Sequence, residues 1–354
     1  FKMTMRDYIE EQPAVMRRIF ENRKENLREF LTYYREISPD HIYIVACGSS
    51  YNASCVAAAF MAKVLNTDVT VHFPSKLPAI RAKRPLIIAV SQGGESTNTI
   101  AAVKALSAYP LIAATGKAEC TVNSLCDRHF DFGCGPETVG PKTKGYTATI
   151  LSFSLFALEA ARISGSIDKP AYDRYCALFA AVPDNMEENI ARCDLFVQAH
   201  LSEFCSMKKM AWTGKGIDGL LTKECALKIM ETLLIPAIHY EFEEYLHGPL
   251  CTIDPQMAGF YLLSDDADAK RIEAVARAHQ EICPQAYVVT SDDTVEGDRV
   301  LHLISGGDDA VKPFAYILPA QFIASEVPVA LGTVDKGMRQ FRAFDDIVKI
   351  KAKR

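Results

Sequence analysis

The sequence predicts an α/β protein made of two similar halves, each a parallel sheet with helices on both faces. Short apolar runs alternate with helical segments along most of the 354 residues. The runs are apolar throughout rather than alternating with polar residues, which is typical of parallel strands buried on both faces. Each half closes with a long apolar helix, and the repeated order of elements indicates an internal duplication.

The first half begins with a charged helical segment, expected over residues 1–36. Five apolar runs then predict strands at 41–46, 69–73, 85–90, 111–115 and 129–132. Turns rich in glycine and serine follow the first and third runs, and a long apolar helix at 144–163 completes the half. We expect this first domain to span residues 37–166.

The second half repeats this plan after a polar helical linker, expected over residues 167–204. The second domain is expected at 205–332, and residues 333–354 form a tail. Apolar runs predict its strands at 209–213, 237–242, 259–264, 286–290 and 300–304. Its helices are predicted at 224–231, 267–282 and 314–331.

Charge and cysteine usage argue against several classes of protein. The net charge is -5 and no basic block stands out, so neither nucleic acid nor an anionic membrane surface is expected as the main partner. No apolar run approaches the roughly 20 residues that span a bilayer. The eleven cysteines are scattered without a CxxC pair, which indicates free thiols in the cytoplasm rather than disulfides or a zinc site.

Three charged residues predict a stripe for proton transfer on one helix of the second half. Glu224, Lys228 and Glu231 are spaced i, i+4 and i+7, which places them on one helix face. Two carboxylates with an ammonium between them suit proton transfer on a sugar, although a solvated row of salt bridges has the same pattern. His247 follows in a loop, as a proton shuttle or as a structural residue.

Two turns of the first half have the composition of an anion-binding site. They are Gly48-Ser49-Ser50 after the first strand and Ser91-Gln92-Gly93-Gly94-Glu95-Ser96 after the third. Ligands of open α/β sheets collect at the carboxyl edge of the strands. There, glycines admit an anion, and helix N-terminal amides and hydroxyls bind phosphate oxygens. Ordinary N-capping of the following helices by serine is the alternative interpretation.

Two further loops are less specific. Residues 214–219 match the pattern GxGxxG, but outside the first unit this match favours a tight turn over a nicotinamide site. Residues 137–144, which include Gly140 and Lys142, either border a ligand pocket or cap the long helix. We therefore expect no organic cofactor and no metal.

In order and spacing, these motifs resemble the sugar isomerase (SIS) domain proteins, most closely the isomerase half of glucosamine-6-phosphate synthase. The segments that carry the resemblance are 9–13, 46–53, 91–96, 137–144, 224–231 and 247–250. The resemblance implies two tandem, doubly wound αβα domains of the flavodoxin-like type with parallel sheets. It also implies a homodimer with shared active sites.

The resemblance implies a role for each site residue. Glu231 is the base that moves a proton between C1 and C2, while Glu224 and Lys228 orient substrate and base. His247 helps to open the sugar ring and reaches in from the neighbouring subunit. The residues implied to bind the phosphate or the sugar of the substrate are Gly48, Ser49, Ser50, Ser91, Gln92, Gly93, Ser96, Gly140 and Lys142.

The chain departs from the synthase pattern in three respects. We expect no amidotransferase half with its N-terminal cysteine nucleophile. Gly93 stands where the family has a serine, which removes one hydroxyl. The tail places Ala343, beside Arg342, where the synthase delivers a lysine. Release of an amine is therefore expected in place of glutamine-dependent synthesis.

These inferences predict a cytoplasmic enzyme that couples isomerisation to C–N cleavage. Its substrate is expected to be a 6-phosphorylated ketosamine, cleaved by deglycation, or an amino sugar phosphate, cleaved by deamination. Two alternatives are a simple aldose–ketose phosphate isomerase and a non-catalytic phosphosugar sensor. The identity of the amine and the sugar, and the roles of Arg339 and Arg342, are left open by the sequence.

Overall fold

Residues 3–353, the part of the chain described by this computed structural model, contain two five-stranded sheets. Phe1, Lys2 and Arg354, the ends of the expected N-terminal segment and tail, lie outside the described residues. The first sheet contains β1 (His41–Ala46), β2 (Asp68–His72), β3 (Pro85–Val90), β4 (Leu111–Thr115) and β5 (Arg128–Asp131). The second contains β6 (Lys209–Gly214), β7 (Ala237–Glu241), β8 (Met257–Leu262), β9 (Ala286–Thr290) and β10 (Val300–His302).

The two sheets have the same topology, which confirms the predicted fold of two tandem parallel sheets. The strand order is β2-β1-β3-β4-β5 in the first sheet and β7-β6-β8-β9-β10 in the second. All neighbouring strands are parallel. This is the flavodoxin-like order, in which the winding reverses beside the first strand and opens a crevice at the carboxyl ends. The crevices lie between β1 and β3, and between β6 and β8.

Helices occupy most of the remaining chain. They are α1 (Met5–Glu21), α2 (Arg23–Asn26), α3 (Arg28–Ile37), α4 (Ser49–Leu65), α5 (Thr97–Ala105), α6 (Lys144–Ser164), α7 (Lys169–Ala199), α8 (Leu201–Ser206), α9 (Ile217–Thr232), α10 (Phe242–Leu246), α11 (Ala269–Gln280), α12 (Lys312–Tyr316), α13 (Leu318–Ala330) and α14 (Lys336–Val348). Within residues 3–353, none of them is both long and apolar enough to cross a membrane.

Several helical elements differ from the sequence expectations or add to them. The helix predicted at 224–231 begins earlier, at Ile217 in α9. The helix predicted at 314–331 is divided into α12 and α13. Phe242, expected to end a strand, and residues 243–246, expected as a loop, form α10, because the Glu241 carboxylate accepts hydrogen bonds from the amides of Glu243 (2.8 Å) and Glu244 (3.1 Å) and caps the helix. Most of the tail also forms a helix, α14.

The described chain divides into two units, each built around one sheet. The first-sheet unit contains Ala14–Thr138, Lys144–Ala180 and the segment from Phe341 onward. The second-sheet unit contains the segment up to Pro13, Val139–Thr143 and Ala181–Gln340. These units are defined by contacts rather than by sequence order, so the domain bounds expected from the sequence stay a prediction.

Each unit has its own apolar core on a face of its sheet. In the first-sheet unit, Tyr43 and Ile87 pack with Ile100 and Val103 of α5. In the second-sheet unit, the corresponding face packs Tyr261 and its neighbours against α11. The long helix α6 is buried along most of its length, as expected for a helix that is apolar on all sides.

The N-terminal segment is fixed to the second-sheet unit by polar contacts. Gln12 is buried, and its side-chain amide donates to Oε1 of the buried Gln321 at 2.9 Å. Arg6 forms an ion pair with Asp194 of α7, with an N–O distance of 2.8 Å. The first residues of the chain therefore stabilise the half of the protein that is farthest from them in sequence.

Candidate active site

The predicted charged stripe lies on α9 and is largely buried. The side chains of Glu224 and Lys228 are each 1% exposed, whereas that of Glu231 is 35% exposed. Lys228 Nζ lies 2.6 Å from Glu231 Oε2 and 3.2 Å from Glu224 Oε1. This burial excludes the alternative of a solvated row of salt bridges. The stripe is an ammonium enclosed by two carboxylates, one of which reaches solvent.

The stripe shifts the protonation equilibria of its members. Burial opposes the charge of Lys228, but the carboxylates of Glu224 and Glu231 outweigh this effect and raise its pKa. Loss of solvent raises the pKa of Glu231; Lys228 opposes this rise, and the charge of Glu224 adds to it. The net pKa of Glu231 lies above that of an ordinary glutamate. A carboxylate with a raised pKa and access to solvent is suited to accept and return a proton.

Lys142 lies in the electrostatic environment of Glu231. It belongs to Val139–Thr143, which the contacts assign to the second-sheet unit, and its charge lowers the pKa of Glu231. Its Nζ also donates to the Val139 carbonyl at 3.1 Å. The sequence predicted Lys142 as a phosphate- or sugar-binding residue, and the structure adds that it acts on the proposed base.

Two glycines allow the tail helix α14 to pack closely against α9 and against the segment 139–143. A Cβ on Gly337 would lie 2.4 Å from the Glu231 carbonyl oxygen, so only glycine permits this approach of α14. A Cβ on Gly140 would lie 2.0 Å from Met338 Sδ. Gly140 was predicted as a ligand residue, whereas Gly337 was missed because no local pattern links a tail glycine to α9.

His247 stands apart from the stripe within one chain. It ends α10 and is exposed, and its backbone amide donates to the Glu244 carbonyl at 3.1 Å. Within residues 3–353, no hydrogen bond or ion pair joins its ring to Glu224, Lys228 or Glu231. In the described chain, His247 is therefore not joined to the other three predicted catalytic residues by a hydrogen bond or an ion pair.

The first-sheet unit presents the predicted serine turns at its crevice. Ser91 directly follows β3, and its hydroxyl oxygen lies 3.4 Å from the Ser96 hydroxyl oxygen. Ser96 is the N-cap residue of α5, but its side chain makes no capping hydrogen bond. Ser49 and Ser50 are the first residues of α4, after Gly48 at the N-cap. Capping therefore does not account for the Ser96 hydroxyl.

The backbone of this loop, referred to here as the SQGGES loop (residues 91–96), offers further donors. Within residues 3–353, the amides of Gln92, Gly93 and Glu95 donate to no acceptor. Gly94 has φ +67°, and a Cβ there would lie 2.0 Å from Cys120 Sγ, so this position requires glycine. A Cβ on Gly93 would meet nothing within 4 Å, so the loop is open at this residue.

Two side chains of the SQGGES loop are used to hold its shape. Gln92 Nε2 donates to the Gly145 carbonyl at 2.5 Å and to the Thr149 hydroxyl at 3.0 Å. The Glu95 carboxylate accepts from the amide and hydroxyl of Thr121, at 2.9 and 2.7 Å. The Gln92 amide group, predicted to bind phosphate, is thus engaged with α6, and its backbone N–H is the donor that remains available.

The crevice of the second sheet has a different charge pattern. Its lysines are paired with aspartates: Lys215 with Asp266 and Asp268, and Lys312 with Asp218, Asp265 and Asp309. An anion would meet this excess of carboxylates, which is unfavourable. The GxGxxG match here supports close packing, since a Cβ on Gly219 would lie 2.8 Å from the Gly214 carbonyl oxygen.

Comparison with known proteins agrees with the architecture. Residues 37–159 match the SIS domain family. Over 94% of this chain, the sequence is 26% identical to glutamine–fructose-6-phosphate aminotransferase [isomerizing] of Gloeobacter violaceus, and the match covers 56% of that protein. The chain spans about half the length of the curated relatives that it matches.

Two solved structures have the same fold over nearly the whole chain. One, from Clostridium difficile 630 and provisionally described as a phosphosugar isomerase, has a TM-score of 0.85, 25% identity and 94% coverage of both chains. The other is the C-terminal domain of glucosamine-fructose-6-phosphate aminotransferase from Francisella tularensis. Its TM-score is 0.83, with 21% identity and 94% and 97% of the two chains covered. That likeness shows the fold alone.

Residues 37–159 therefore form a SIS domain, and the two parallel sheets give the chain the α/β fold of such domains. More particularly, its sequence is similar to glutamine–fructose-6-phosphate aminotransferase [isomerizing], and its fold is that of the C-terminal domain of such an aminotransferase. The resemblance inferred from the motifs is confirmed.

The buried ion pairs of α9 lead to a stability prediction. Lys228→Met leaves the buried Glu224 carboxylate without its ammonium, so the free energy of unfolding should fall by about 3–5 kcal/mol. Urea unfolding followed by circular dichroism measures the change. Lys104→Met, at an exposed position of α5, is the control and should stay within about 0.5 kcal/mol of wild type. Equal stability of Lys228→Met and wild type would contradict the pairing.

Proposed function

We propose that the chain is an enzyme that couples isomerisation of an amine-bearing sugar 6-phosphate to cleavage of its C–N bond. The observation that carries this proposal is Glu231, a partly exposed carboxylate with a raised pKa, held 2.6 Å from a buried lysine. The similarity to glutamine–fructose-6-phosphate aminotransferase [isomerizing], an enzyme named for amino transfer to fructose 6-phosphate, supports the same substrate class.

The proposed reaction on a ketosamine begins with ring opening. Glu231 takes a proton from C1 and returns it to C2, which converts the C1 amine into an imine. Water then hydrolyses the imine to an aldose 6-phosphate and the free amine. On a 2-amino aldose the same base moves the proton from C2 to C1, the imine forms at C2, and hydrolysis yields a ketose 6-phosphate and ammonia.

Other residues prepare Glu231 for this transfer. The ammonium of Lys228 donates to Glu231 and fixes its orientation, so the base is already positioned when the substrate arrives. Glu224 balances the buried charge of Lys228 and keeps the pKa of Glu231 raised. We propose that the phosphate is held by the SQGGES loop together with Gly48, Ser49 and Ser50, whose hydroxyls and amides suit an anion.

An NMR time course tests this function. Wild-type protein is incubated separately with fructoselysine 6-phosphate, glucoselysine 6-phosphate and glucosamine 6-phosphate. We expect a hexose 6-phosphate together with free lysine or ammonia from at least one of them. Glu231→Gln should lower turnover about 10³-fold, because the amide cannot accept the proton, while binding of the substrate changes little.

The controls separate the alternatives. Glu281→Gln, at an exposed carboxylate beyond α11, should keep wild-type turnover. Isomerisation without release of an amine would replace the proposal by a simple aldose–ketose isomerase. Line broadening without any conversion would replace it by a sensor. Full activity of Glu231→Gln would remove the proposed base.

We further propose that the active site is completed in a homodimer by His247 of the second copy. Two observations support this arrangement: His247 is exposed, and in the described residues no hydrogen bond or ion pair joins it to the stripe of its own chain. A histidine supplied in this way would protonate the ring oxygen, or deprotonate the anomeric hydroxyl, during opening. Each active site would then need Glu231 from one chain and His247 from the other.

Complementation tests the shared site. Glu231→Gln and His247→Ala proteins are each expected to have low activity. After subunit exchange in an equal mixture, half of the dimers contain both variants, and each of these holds one intact site. Activity should therefore rise to about a quarter of that of wild type. A mixture that gives only the mean of the two separate activities would contradict the shared site.

A further inference from the structure

The C-terminal segment pairs with the SQGGES loop inside the first-sheet unit. Ser96 and Lys351 form an antiparallel bridge. The Ala352 amide donates to the Glu95 carbonyl at 2.8 Å, and the Thr97 amide donates to the Ile350 carbonyl at 3.0 Å. These backbone bonds fix residues 350–352 beside the loop proposed to bind phosphate.

Two more contacts fix the register of this pairing. The Thr97 hydroxyl donates to the Lys349 carbonyl at 2.6 Å. The Lys351 amide donates to Oδ1 of Asp345, a buried residue of α14, at 2.9 Å. The segment is therefore anchored both to the start of α5 and to α14, and these bonds fix which of its residues lies beside Ser96.

This register places an ammonium group on the loop. Lys351 Nζ lies 2.9 Å from the Ser96 hydroxyl oxygen, and the Ser96 hydroxyl lies 3.4 Å from that of Ser91. Lys351 is only partly exposed. The SQGGES loop and the C-terminal segment paired with it thus provide two serine hydroxyls, the Lys351 ammonium and the amides of Gln92 and Gly93.

We propose that Lys351 is a phosphate-binding residue, supplied to the SQGGES loop by the C-terminal segment. This inference rests on the proposed function, because it assigns the charge that binds the phosphate of the same substrate. A lysine ammonium has three donors, so it can keep its bond to Ser96 and also donate to a phosphate oxygen. It also supplies the positive charge that hydroxyls and amides lack.

The proposal predicts an effect on binding rather than on chemistry. Lys351 contacts the phosphate and not the reacting carbons, so its loss should raise KM and leave kcat nearly unchanged. A purely structural role, as a clasp for the tail, would instead lower stability and would not depend on the charge of the ligand. Charge and ligand chemistry therefore distinguish the two roles.

Calorimetric titration with fructose 6-phosphate and with inorganic phosphate tests the proposal. For Lys351→Met we expect Kd to rise about tenfold or more, the usual scale for a charge-assisted hydrogen bond. Lys351→Arg should restore most of the affinity. Lys353→Met, an exposed lysine two residues further along, is the matched control and should bind as wild type does. Unfolding curves of the variants should coincide.

Wild-type affinity in Lys351→Met, or no binding of either probe by wild-type protein, would overturn the proposal. Loss of affinity together with loss of stability, not restored by arginine, would show the structural clasp instead. Binding does not require turnover, so the two proposals fail separately. A protein that binds fructose 6-phosphate through Lys351 but releases no amine would retain this inference and lose the proposed function.

Discussion

The buried ammonium of Lys228 is the constraint on which the proposed catalytic centre depends. A charge without solvent must be compensated at short range, so Glu224 and Glu231 are held around it on successive turns of α9. At the end of the same helix, Gly337 of α14 packs closely against the main chain of Glu231. Glu231 is thereby fixed in place while its carboxylate still reaches solvent.

The second constraint is the strand order that the two sheets share. Each sheet opens a crevice at its switch point, yet the two crevices differ in chemistry. The first presents serine hydroxyls and backbone amides, whereas the second contains lysines already neutralised by aspartates. The two sheets therefore share one topology while the crevices at their switch points differ in charge.

The sequence predicted the parts that depend on local pattern. All ten strands were predicted to within about two residues at each end, because runs buried on both faces are apolar throughout. The stripe on α9 was predicted from helical spacing alone. The structure then distinguished a buried stripe from a solvated one, which spacing does not do.

The parts that were missed depend on contacts between residues distant in sequence. The engagement of Gln92 with α6 and the pairing of Lys351 with Ser96 join segments 53 and 255 residues apart. No periodicity marks such pairs. The helix α10 was missed for a different reason: it is a single short turn, stabilised by one carboxylate cap at Glu241.

The most direct test of the account is to run the reaction in D₂O and analyse the recovered hexose phosphate by mass spectrometry and NMR. Glu231 is 35% exposed, so the proton it carries can exchange with solvent before it returns to carbon. We expect an isomerised hexose phosphate with deuterium at the carbon that receives the proton, C1 or C2 according to the substrate. An amine released without isomerisation, so that a ketosamine gives a ketose phosphate with no deuterium at either carbon, would show direct C–N hydrolysis and would contradict proton transfer by Glu231.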